Sequence, residues 1–236
     1  MQKRILVINP NSSTAVTRGI DEALECLRFS GGPIIEVIDL PEGPLGIETQ
    51  RDVESAVPLL LQRLKRRNDA DGYVIACYSD PGVHALREVT VRPVLGIAEG
   101  AILTALTLGA RFGTIAILRK AIPRHLRAVG GMGLNSRMAG ERAVDLGVAE
   151  LANRDHTLAR MIDIGRALRD LDGADVIIMG CAGMAPYREP LEKALGLPVV
   201  EPTQATVAFM IGRLRLQWRN GLTEILPDKT GVISCA

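Results

Sequence analysis

This sequence lacks a charge imbalance. Lysine and arginine together number 28, and aspartate and glutamate number 27, which leaves a net charge of +1. Such a balance gives no electrostatic attraction toward nucleic acid or an anionic membrane surface. We therefore expect neither of these partners, and we expect a small molecule as the ligand.

Long apolar runs and aromatic residues are also scarce. No stretch of about 18 uncharged apolar residues occurs, and Lys3 and Arg4 lead directly into a strand-like run without a cleavable leader pattern. Aromatic residues make up only 3% of the 236 positions, whereas 47% are hydrophobic. The sequence predicts a cytoplasmic globular protein whose core consists mainly of Leu, Ile, Val and Ala.

Cysteine and histidine do not form any metal-binding pattern. The cysteines at positions 26, 77, 181 and 235 include no close pair, which fits neither a zinc knuckle nor a dense disulfide framework. No nucleotide fingerprint or P-loop occurs either. We expect free thiols, no metal and no cofactor, with Cys26 and Cys235 incidental. The histidines are expected to be solvated on helix faces; they are His84, His125 and His156.

Strand-like and helix-like segments alternate along the chain. In the first half, strands are predicted at 4–9, 34–39, 72–76 and 94–97, and helices at 14–27, 53–67, 82–88 and 100–108. In the second half, strands are predicted at 112–118, 142–144, 176–179 and 199–200, and helices at 123–129, 155–171, 186–195 and 205–218. This alternation predicts an α/β fold with parallel sheets covered by helices.

The second half of the pattern resembles the first. The segment that ends at Cys77 aligns with the segment that ends at Cys181, and Pro93 aligns with Pro198 at nearly the same separation. We expect two lobes of similar topology related by pseudo-twofold symmetry, with the active site in the cleft between them. The tail from 221 to 236 is predicted only as a C-terminal extension.

Two cysteines at matching strand ends are the candidate catalytic residues. Cys77 precedes a turn that enters a helix, where backbone amides and the helix dipole are expected to lower the pKa of its thiol. Cys181 lies among small residues, and the amides of Ala182 and Gly183 could bind a carboxylate or enolate oxygen. One buried cysteine is usually an apolar core residue. Two at equivalent positions favour a catalytic role.

Polar residues at the same predicted edge are candidates for substrate binding. Asn9 ends the first strand, and its carboxamide is expected to point into the cleft beside Cys77. Ser79 and Asp80 follow Cys77 in the turn and are candidates by position. Ser12 or Ser13 is expected to cap the helix that follows.

Five motifs together resemble the aspartate/glutamate/hydantoin racemase superfamily, and specifically its hydantoin and allantoin racemase branch. They span most of residues 4–219: INPNSS at 8–13, ACYSDPG at 76–82, GIAE at 96–99, LGARF at 108–112 and GCAGM at 180–184. The resemblance implies two Rossmann-like lobes, a cofactor-free cleft and the two cysteines as opposed acid and base. It also implies that the last helix packs back on the first lobe, so that the first lobe comprises residues 1–95 and 204–236 and the second comprises 96–203. We expect a homo-oligomer.

The resemblance leaves the substrate open. Gly100 stands where the branch tends to carry alanine, and residues 117–119 depart from a segment where hydroxyl residues are common. We expect a cofactor-independent racemase of 5-substituted hydantoins, including allantoin. The alternatives are an Asp/Glu racemase, a maleate-type cis–trans isomerase with a cysteine nucleophile, and a noncatalytic two-lobed ligand-binding protein. Possession of both cysteines argues against the related arylmalonate decarboxylases, which lack the first.

Overall fold

The structure is a computed structural model that describes residues 2–147 and 150–221. Most of the predicted C-terminal extension, including Cys235, lies outside the described residues. In the part of the chain that is described, strands and helices alternate and form two four-stranded sheets.

The two sheets repeat one topology. In the first, the strand order is β2-β1-β3-β4; in the second, it is β6-β5-β7-β8, and every neighbouring pair is parallel. The second order therefore matches the first strand for strand, so that β7 corresponds to β3. The predicted α/β fold with two similar lobes is confirmed. The strands are β1 (Arg4–Ile8), β2 (Ile34–Ile38), β3 (Gly72–Ile75), β4 (Val94–Gly96), β5 (Phe112–Ala116), β6 (Met138–Ala143), β7 (Val176–Met179) and β8 (Val199–Val200).

Eight α-helices cover the two sheets within the described residues. They are α1 (Thr14–Ala23), α2 (Gln50–Arg66), α3 (Val83–Glu88), α4 (Ile97–Leu108), α5 (Ile122–Gly131), α6 (Arg154–Asp170), α7 (Arg188–Leu195) and α8 (Pro202–Arg215). Short 3-10 turns occur at Glu25–Leu27, Arg119–Ala121, Asn135–Arg137, Glu150–Ala152 and Ala182–Tyr187.

Helices α2, α4 and α8 begin about three residues earlier than the sequence pattern predicts, because side chains cap them. At α8, the Glu201 carboxylate accepts hydrogen bonds from the Thr203 and Gln204 amides. At α2, the Thr49 side chain accepts a hydrogen bond from the Asp52 amide at 3.1 Å, and the Asp52 carboxylate accepts one from the Thr49 amide at 2.8 Å. This is a capping box. At α4, the caps come from Asp80, a residue of an earlier turn, whose carboxylate oxygens accept hydrogen bonds from the Ala98 and Glu99 amides, each at 2.9 Å.

The starts of β6 and α7 also differ from the prediction. The edge strand β6 begins at Met138 rather than at residue 142, and all of its residues are partly exposed, so no buried apolar run marks its start. Helix α7 begins at Arg188 rather than at residue 186, because the preceding segment Ala182–Tyr187 forms a 3-10 turn.

Helices α4 and α8 join the two lobes. Helix α8 contacts β3 and β4 of the first sheet, while α4 contacts β5, β7 and β8 of the second, and the two helices pack on each other. They approach closely at Gly100, where an added Cβ would collide with the Thr206 side chain. The last helix therefore packs back on the first lobe, as the resemblance implies. The division of the chain at residues 95 and 203 stays a prediction. Within the described residues, no helix is both long and apolar enough to cross a membrane.

Candidate active site

Cys77 and Cys181 line the same cavity between the two lobes. Cys77 follows β3 and Cys181 follows the corresponding strand β7, so the carboxyl ends of both sheets face this cavity. Ser79, Ala182 and Gly183 also line its wall. Its volume is about 30 Å³, which is enough for a water molecule or two.

The backbone around the two thiols has the same arrangement in both lobes. The Gly183 amide donates a hydrogen bond to Cys181 Sγ at 3.4 Å, and the Ser79 amide donates one to the Cys77 thiol. In each case the donor lies two residues after the cysteine. A backbone N–H aimed at sulfur favours the thiolate over the thiol. The internal repeat thus extends to the immediate surroundings of both sulfurs.

Burial opposes these amide hydrogen bonds and has the larger effect. Desolvation raises the pKa of Cys77 to about 12 and that of Cys181 to about 11. The prediction that the Cys77 environment lowers the pKa of its thiol is therefore wrong. The physical reason is that the surrounding protein removes water from the sulfur and so disfavours its charged form. Both residues are therefore neutral thiols at neutral pH.

Close packing at Gly180 determines where Cys181 lies. A Cβ at position 180 would approach the Ile115 carbonyl oxygen to 2.7 Å, so only glycine lets the end of β7 lie this close to β5. The chain then turns through Ala182 and Gly183, which line the cavity and add little side-chain bulk there. A planar ligand could approach these amides closely.

Asn9 does not line the cavity, although the sequence predicts that it does. It is fully buried, and its Nδ2 donates to Asn11 Oδ1 at 2.9 Å and to Thr17 Oγ1 at 3.0 Å. Asn11 is the residue of this loop that reaches the cavity wall. Asn9 shapes the loop after β1, and Ser13 caps α1 through the Val16 amide at 3.4 Å.

Asp80 also lies outside the cavity wall. Its backbone has a φ of +45°, and its carboxylate lies over Gly96, where an added Cβ would collide with it. Both carboxylate oxygens are occupied by amides of α4. Burial raises the pKa of Asp80 to about 7. In this structure Asp80 caps a helix and holds the turn that carries Cys77.

Arg124 and His125 are cavity residues that sequence reasoning missed. Arg124 Nε donates to Ser79 Oγ at 2.8 Å. His125 Nδ1 lies 2.6 Å from Glu141 Oε1, and its Nε2 lies 3.4 Å from Ser79 Oγ. The expectation of a solvated His125 is wrong, because the residue is only 5% exposed.

The internal repeat contains a signal for these residues. Strand β5 corresponds to β1, so the segment that follows β5 lies at the carboxyl edge of the second sheet, as the Asn9–Ser13 loop does at that of the first. His84 and His156 are exposed, as predicted. Cys26 is also exposed and lies away from the cavity.

A larger open cleft adjoins the cavity. Its volume is about 750 Å³, and Val16 and Gly183 belong to the walls of both spaces. The cleft runs between α1 of the first lobe and the segment with Pro186 and Tyr187 of the second. Through these shared residues it lies next to the cavity that holds the two thiols. In the described ranges, no cluster of three or more His, Cys, Asp or Glu residues could hold a metal ion.

Comparison with known proteins agrees with this geometry. The sequence profile of the Asp/Glu/Hydantoin racemase family matches residues 5–210. A hydantoin racemase from Paenarthrobacter aurescens is 38% identical over 86% of this chain and 87% of its own length. A hydantoin racemase from Pseudomonas sp. (strain NS671) is 35% identical over 87% of this chain and 84% of its own length.

Solved structures of allantoin racemases have the same fold. The enzyme from Pseudomonas fluorescens superimposes with a TM-score of 0.89 at 27% identity, covering 98% of this chain and 100% of its own. The enzyme from Klebsiella pneumoniae gives 0.86 at 29% identity, covering 98% of both chains. The chain therefore belongs to the Asp/Glu/hydantoin racemase family, in its hydantoin and allantoin racemase branch, and is an isomerase of the racemase class.

Proposed function

We propose that this racemase interconverts the enantiomers of 5-substituted hydantoins, allantoin among them, with Cys77 and Cys181 as acid and base and without a cofactor. The observation that carries the proposal is that both thiols line one cavity from equivalent strand ends of the two lobes. The hydantoin and allantoin racemases to which the chain is similar support the substrate class.

The proposed reaction moves one proton off the substrate and another onto it. The C5 hydrogen of a hydantoin lies next to a ring carbonyl, so its removal leaves an enolate whose charge is spread onto oxygen. One cysteine, as thiolate, takes this proton from one face. The other, as thiol, gives a proton to C5 from the opposite face, and the roles reverse for the other enantiomer.

The raised pKa values of the two cysteines make their thiolates stronger bases for removing the C5 proton. A thiolate formed where the pKa is about 11 or 12 is scarcer than one in water, but it is also a stronger base. The amides of Ser79 and Gly183 stabilise the two sulfurs in that state. In our proposal, the Ala182 and Gly183 backbone also lies against the enolate oxygen. Asn9 and Asp80 act indirectly, through the loops that they hold.

The proposal can be tested with single enantiomers in D₂O. The panel comprises 5-benzylhydantoin, 5-isobutylhydantoin and allantoin, with aspartate, glutamate and maleate as substrates of the alternative reactions. We expect the optical rotation of at least one hydantoin to decay while deuterium enters at C5. A variant with both Cys77→Ser and Cys181→Ser measures the spontaneous rate.

The other outcomes would each contradict the proposal in a distinct way. Racemisation of aspartate or glutamate alone indicates an amino-acid racemase. Conversion of maleate with a covalent cysteine adduct indicates a cis–trans isomerase. Binding of a hydantoin without deuterium uptake indicates a ligand-binding protein.

Independence from a cofactor needs a test of its own. The enzyme is dialysed against EDTA, passed over charcoal and assayed again with the hydantoin that it turns over. We expect full activity, since thiol and thiolate suffice for both proton transfers. Loss of activity that a divalent metal restores would contradict this part of the proposal.

A further inference from the structure

Arg124 brings a positive charge to the cavity wall that no neighbouring carboxylate neutralises by direct contact. Its Nε donates to Ser79 Oγ at 2.8 Å, and one Nη donates to the backbone carbonyl of Glu48 at 3.2 Å. Within the described residues, no carboxylate lies within ion-pair distance of this guanidinium. Arginine has five N–H donors, so several remain for a ligand.

The charged groups around Arg124 leave this cation available. Glu141 contributes electrostatically but directs one oxygen to His125 at 2.6 Å. Asp52, the other nearby acid, is engaged with the amides that begin α2. The two cysteines are neutral thiols in the resting site. A half-buried guanidinium without an anionic partner has lost part of its hydration, and a ligand that supplies acceptor oxygens compensates for that loss.

The orientation of the guanidinium is fixed by the groups behind it. Ser79 Oγ lies between Arg124 Nε and His125 Nε2, at 2.8 and 3.4 Å. Because Arg124 can only donate, the serine oxygen accepts from it. The buried His125–Glu141 pair holds the other side of the hydroxyl. A fork of N–H groups held in this way matches the two oxygens of a carboxylate.

We propose that Arg124 is a specificity-determining residue that selects hydantoins whose C5 substituent ends in a carboxylate, the class derived from acidic amino acids. This inference rests on the proposed function for the hydantoin ring. Because Arg124 and both cysteines line one cavity, we place C5 between the two sulfurs and direct its substituent toward the guanidinium. Ser79 and His125 are positioning residues for Arg124.

Binding is measured first, in the Cys77→Ser/Cys181→Ser variant, which cannot turn the ligand over. The ligands are 5-(2-carboxyethyl)hydantoin and its neutral isostere of equal size, 5-(2-carbamoylethyl)hydantoin, compared by calorimetry. We expect the carboxylate to bind about tenfold or more tightly than the amide, as for a charge-assisted hydrogen-bonded pair. Equal affinities would overturn the proposal.

Variants on the same background assign the preference to Arg124. Arg124→Met should abolish the preference, and Arg124→Lys should restore part of it, because lysine keeps the charge without the fork. Arg127→Met is the matched control, since Arg127 is an exposed residue of the same helix that donates to Gln50 at 2.9 Å instead of lining the cavity. It should keep the full preference. A preference that survives Arg124→Met would contradict the proposal even if Arg124→Lys behaves as expected.

Turnover separates this inference from the proposed function. In the enzyme with both cysteines, kcat/KM is measured for the two ligands above and for 5-isobutylhydantoin. Arg124→Met should lower kcat/KM for the carboxylate substrate at least tenfold more than for the isobutyl substrate. An equal loss for all three would mean that Arg124 serves the thiols or the ring, and the specificity proposal would be wrong. Arg124-dependent binding without racemisation of any hydantoin would refute the proposed function and retain the recognition site.

Discussion

Cys77 and Cys181 are partly buried and differ from ordinary core cysteines, because each receives a backbone N–H from the residue two positions later and faces the same small cavity. An apolar core cysteine needs neither feature. The repeated arrangement gives two chemically similar groups on different lobes. This suits a reaction in which each enantiomer needs a base on a different face.

Serine substitutions should divide the reaction into halves. We expect Cys77→Ser and Cys181→Ser each to lower the racemisation rate by about 10²–10⁴-fold, the range for a positioned acid–base group. The remaining cysteine can still take a proton from the face that it meets. Each variant should therefore exchange the C5 hydrogen of one enantiomer only, and the two variants should prefer opposite enantiomers. Proton NMR of single enantiomers in D₂O measures this exchange.

The same experiment can contradict the mechanism. If either serine variant racemises both enantiomers near the parent rate, its cysteine is structural. If both variants exchange the same enantiomer, the cysteines do not flank C5 from opposite faces.

Alkaline pH should reveal the burial of the two thiols. Their pKa values in the folded protein are about 12 and 11, above the ordinary value of 9.0. Between about pH 9 and the pKa values of the folded protein, the unfolded chain releases thiol protons that the folded protein retains. The free energy of unfolding therefore falls as the pH rises above about 9. Each thiol contributes at most about 1.4 kcal/mol per pH unit to this fall.

The effect of the thiols is isolated by comparing variants. In urea unfolding between pH 8.5 and 10.5, the Cys77→Ser/Cys181→Ser variant should lose stability less steeply than the parent. Cys26→Ser serves as the control for loss of an exposed thiol and should follow the parent. A double variant with the parent slope would show that the thiols are not desolvated.

Single residues differ in how far the sequence reveals them. The cysteines could be predicted because an internal repeat places both after equivalent strands. Asn9 and Asp80 were predicted to bind substrate because they lie at the right sheet edge. Their side chains instead turn toward Asn11 and toward α4. Arg124 lies in the opposite lobe from its partner Ser79, and no local pattern in the sequence links the two.

At the level of helices, two aspartates perform the same task in different surroundings. Asp52 caps α2 from within its own first turn, whereas Asp80 caps α4 from a distant turn. The pKa of the Asp52 carboxyl is lowered because amide hydrogen bonds from Thr49 and Glu48 outweigh its burial. The pKa of Asp80 is raised to about 7 because its burial outweighs the amide bonds that it accepts.

These two caps should give opposite pH dependences of stability. For Asp80, the folded pKa of about 7 exceeds the ordinary value of 3.8, so its contribution is complete below about pH 4 and is lost as the pH rises through 7. For Asp52, the folded pKa is lowered, so its contribution is present above about pH 4 and is lost on acidification. In urea unfolding from pH 3.5 to 7.5, Asp80→Asn should lower the free energy of unfolding most at low pH. Asp52→Asn should lower it most at neutral pH.

Asn keeps one acceptor oxygen in each variant, so both substitutions are matched in shape. The quantity that tests the prediction is how the difference in unfolding free energy between variant and parent changes with pH. The size of that difference at a single pH does not test it. The same trend with pH for both variants would contradict the assignment of Asp80 as a buried cap.

Some element boundaries are set by residues nearby in the sequence, and others by residues that only the fold brings close. The existence and order of the elements could be predicted, because apolar runs and their spacing are local properties. The early start of α2 depends on the Thr49–Asp52 box, which is visible in the sequence. The early start of α4 depends on Asp80, which only the fold brings to Ala98, so it could not be predicted from the helix itself.

For the molecule as a whole, the contact between α4 and α8 connects the lobes that carry the two thiols. Helix α8 packs on the first sheet and α4 on the second. The departure at Gly100, where the resembling branch tends to carry alanine, lies in this contact, because an added Cβ would meet the Oγ1, the Cβ and the backbone of Thr206. The glycine therefore lets the two helices, and with them the two lobes, approach closely.

Gly100→Ala should destabilise the protein although alanine is the better helix former. The gain in helix propensity is about 1 kcal/mol, whereas overpacking of a close contact costs about 1–3 kcal/mol. Part of the clash is with the Thr206 backbone, which cannot rotate away, so the helices must separate. We expect a net loss of up to about 2 kcal/mol in urea unfolding and a decrease in kcat, since separation of α4 from α8 shifts one thiol relative to the other.

Gly212→Ala is the matched control, because Gly212 lies in α8 and an added Cβ there meets nothing within 4 Å. It should raise stability by about 0.5–1 kcal/mol through propensity alone and leave kcat unchanged. In the Gly100→Ala background, Thr206→Ala removes the nearest clashing atom and should recover part of the lost stability, which a double-mutant cycle measures. If Gly100→Ala instead stabilises the protein as Gly212→Ala does, the contact between α4 and α8 accommodates a Cβ at position 100. The spacing of the two lobes then does not depend on this glycine.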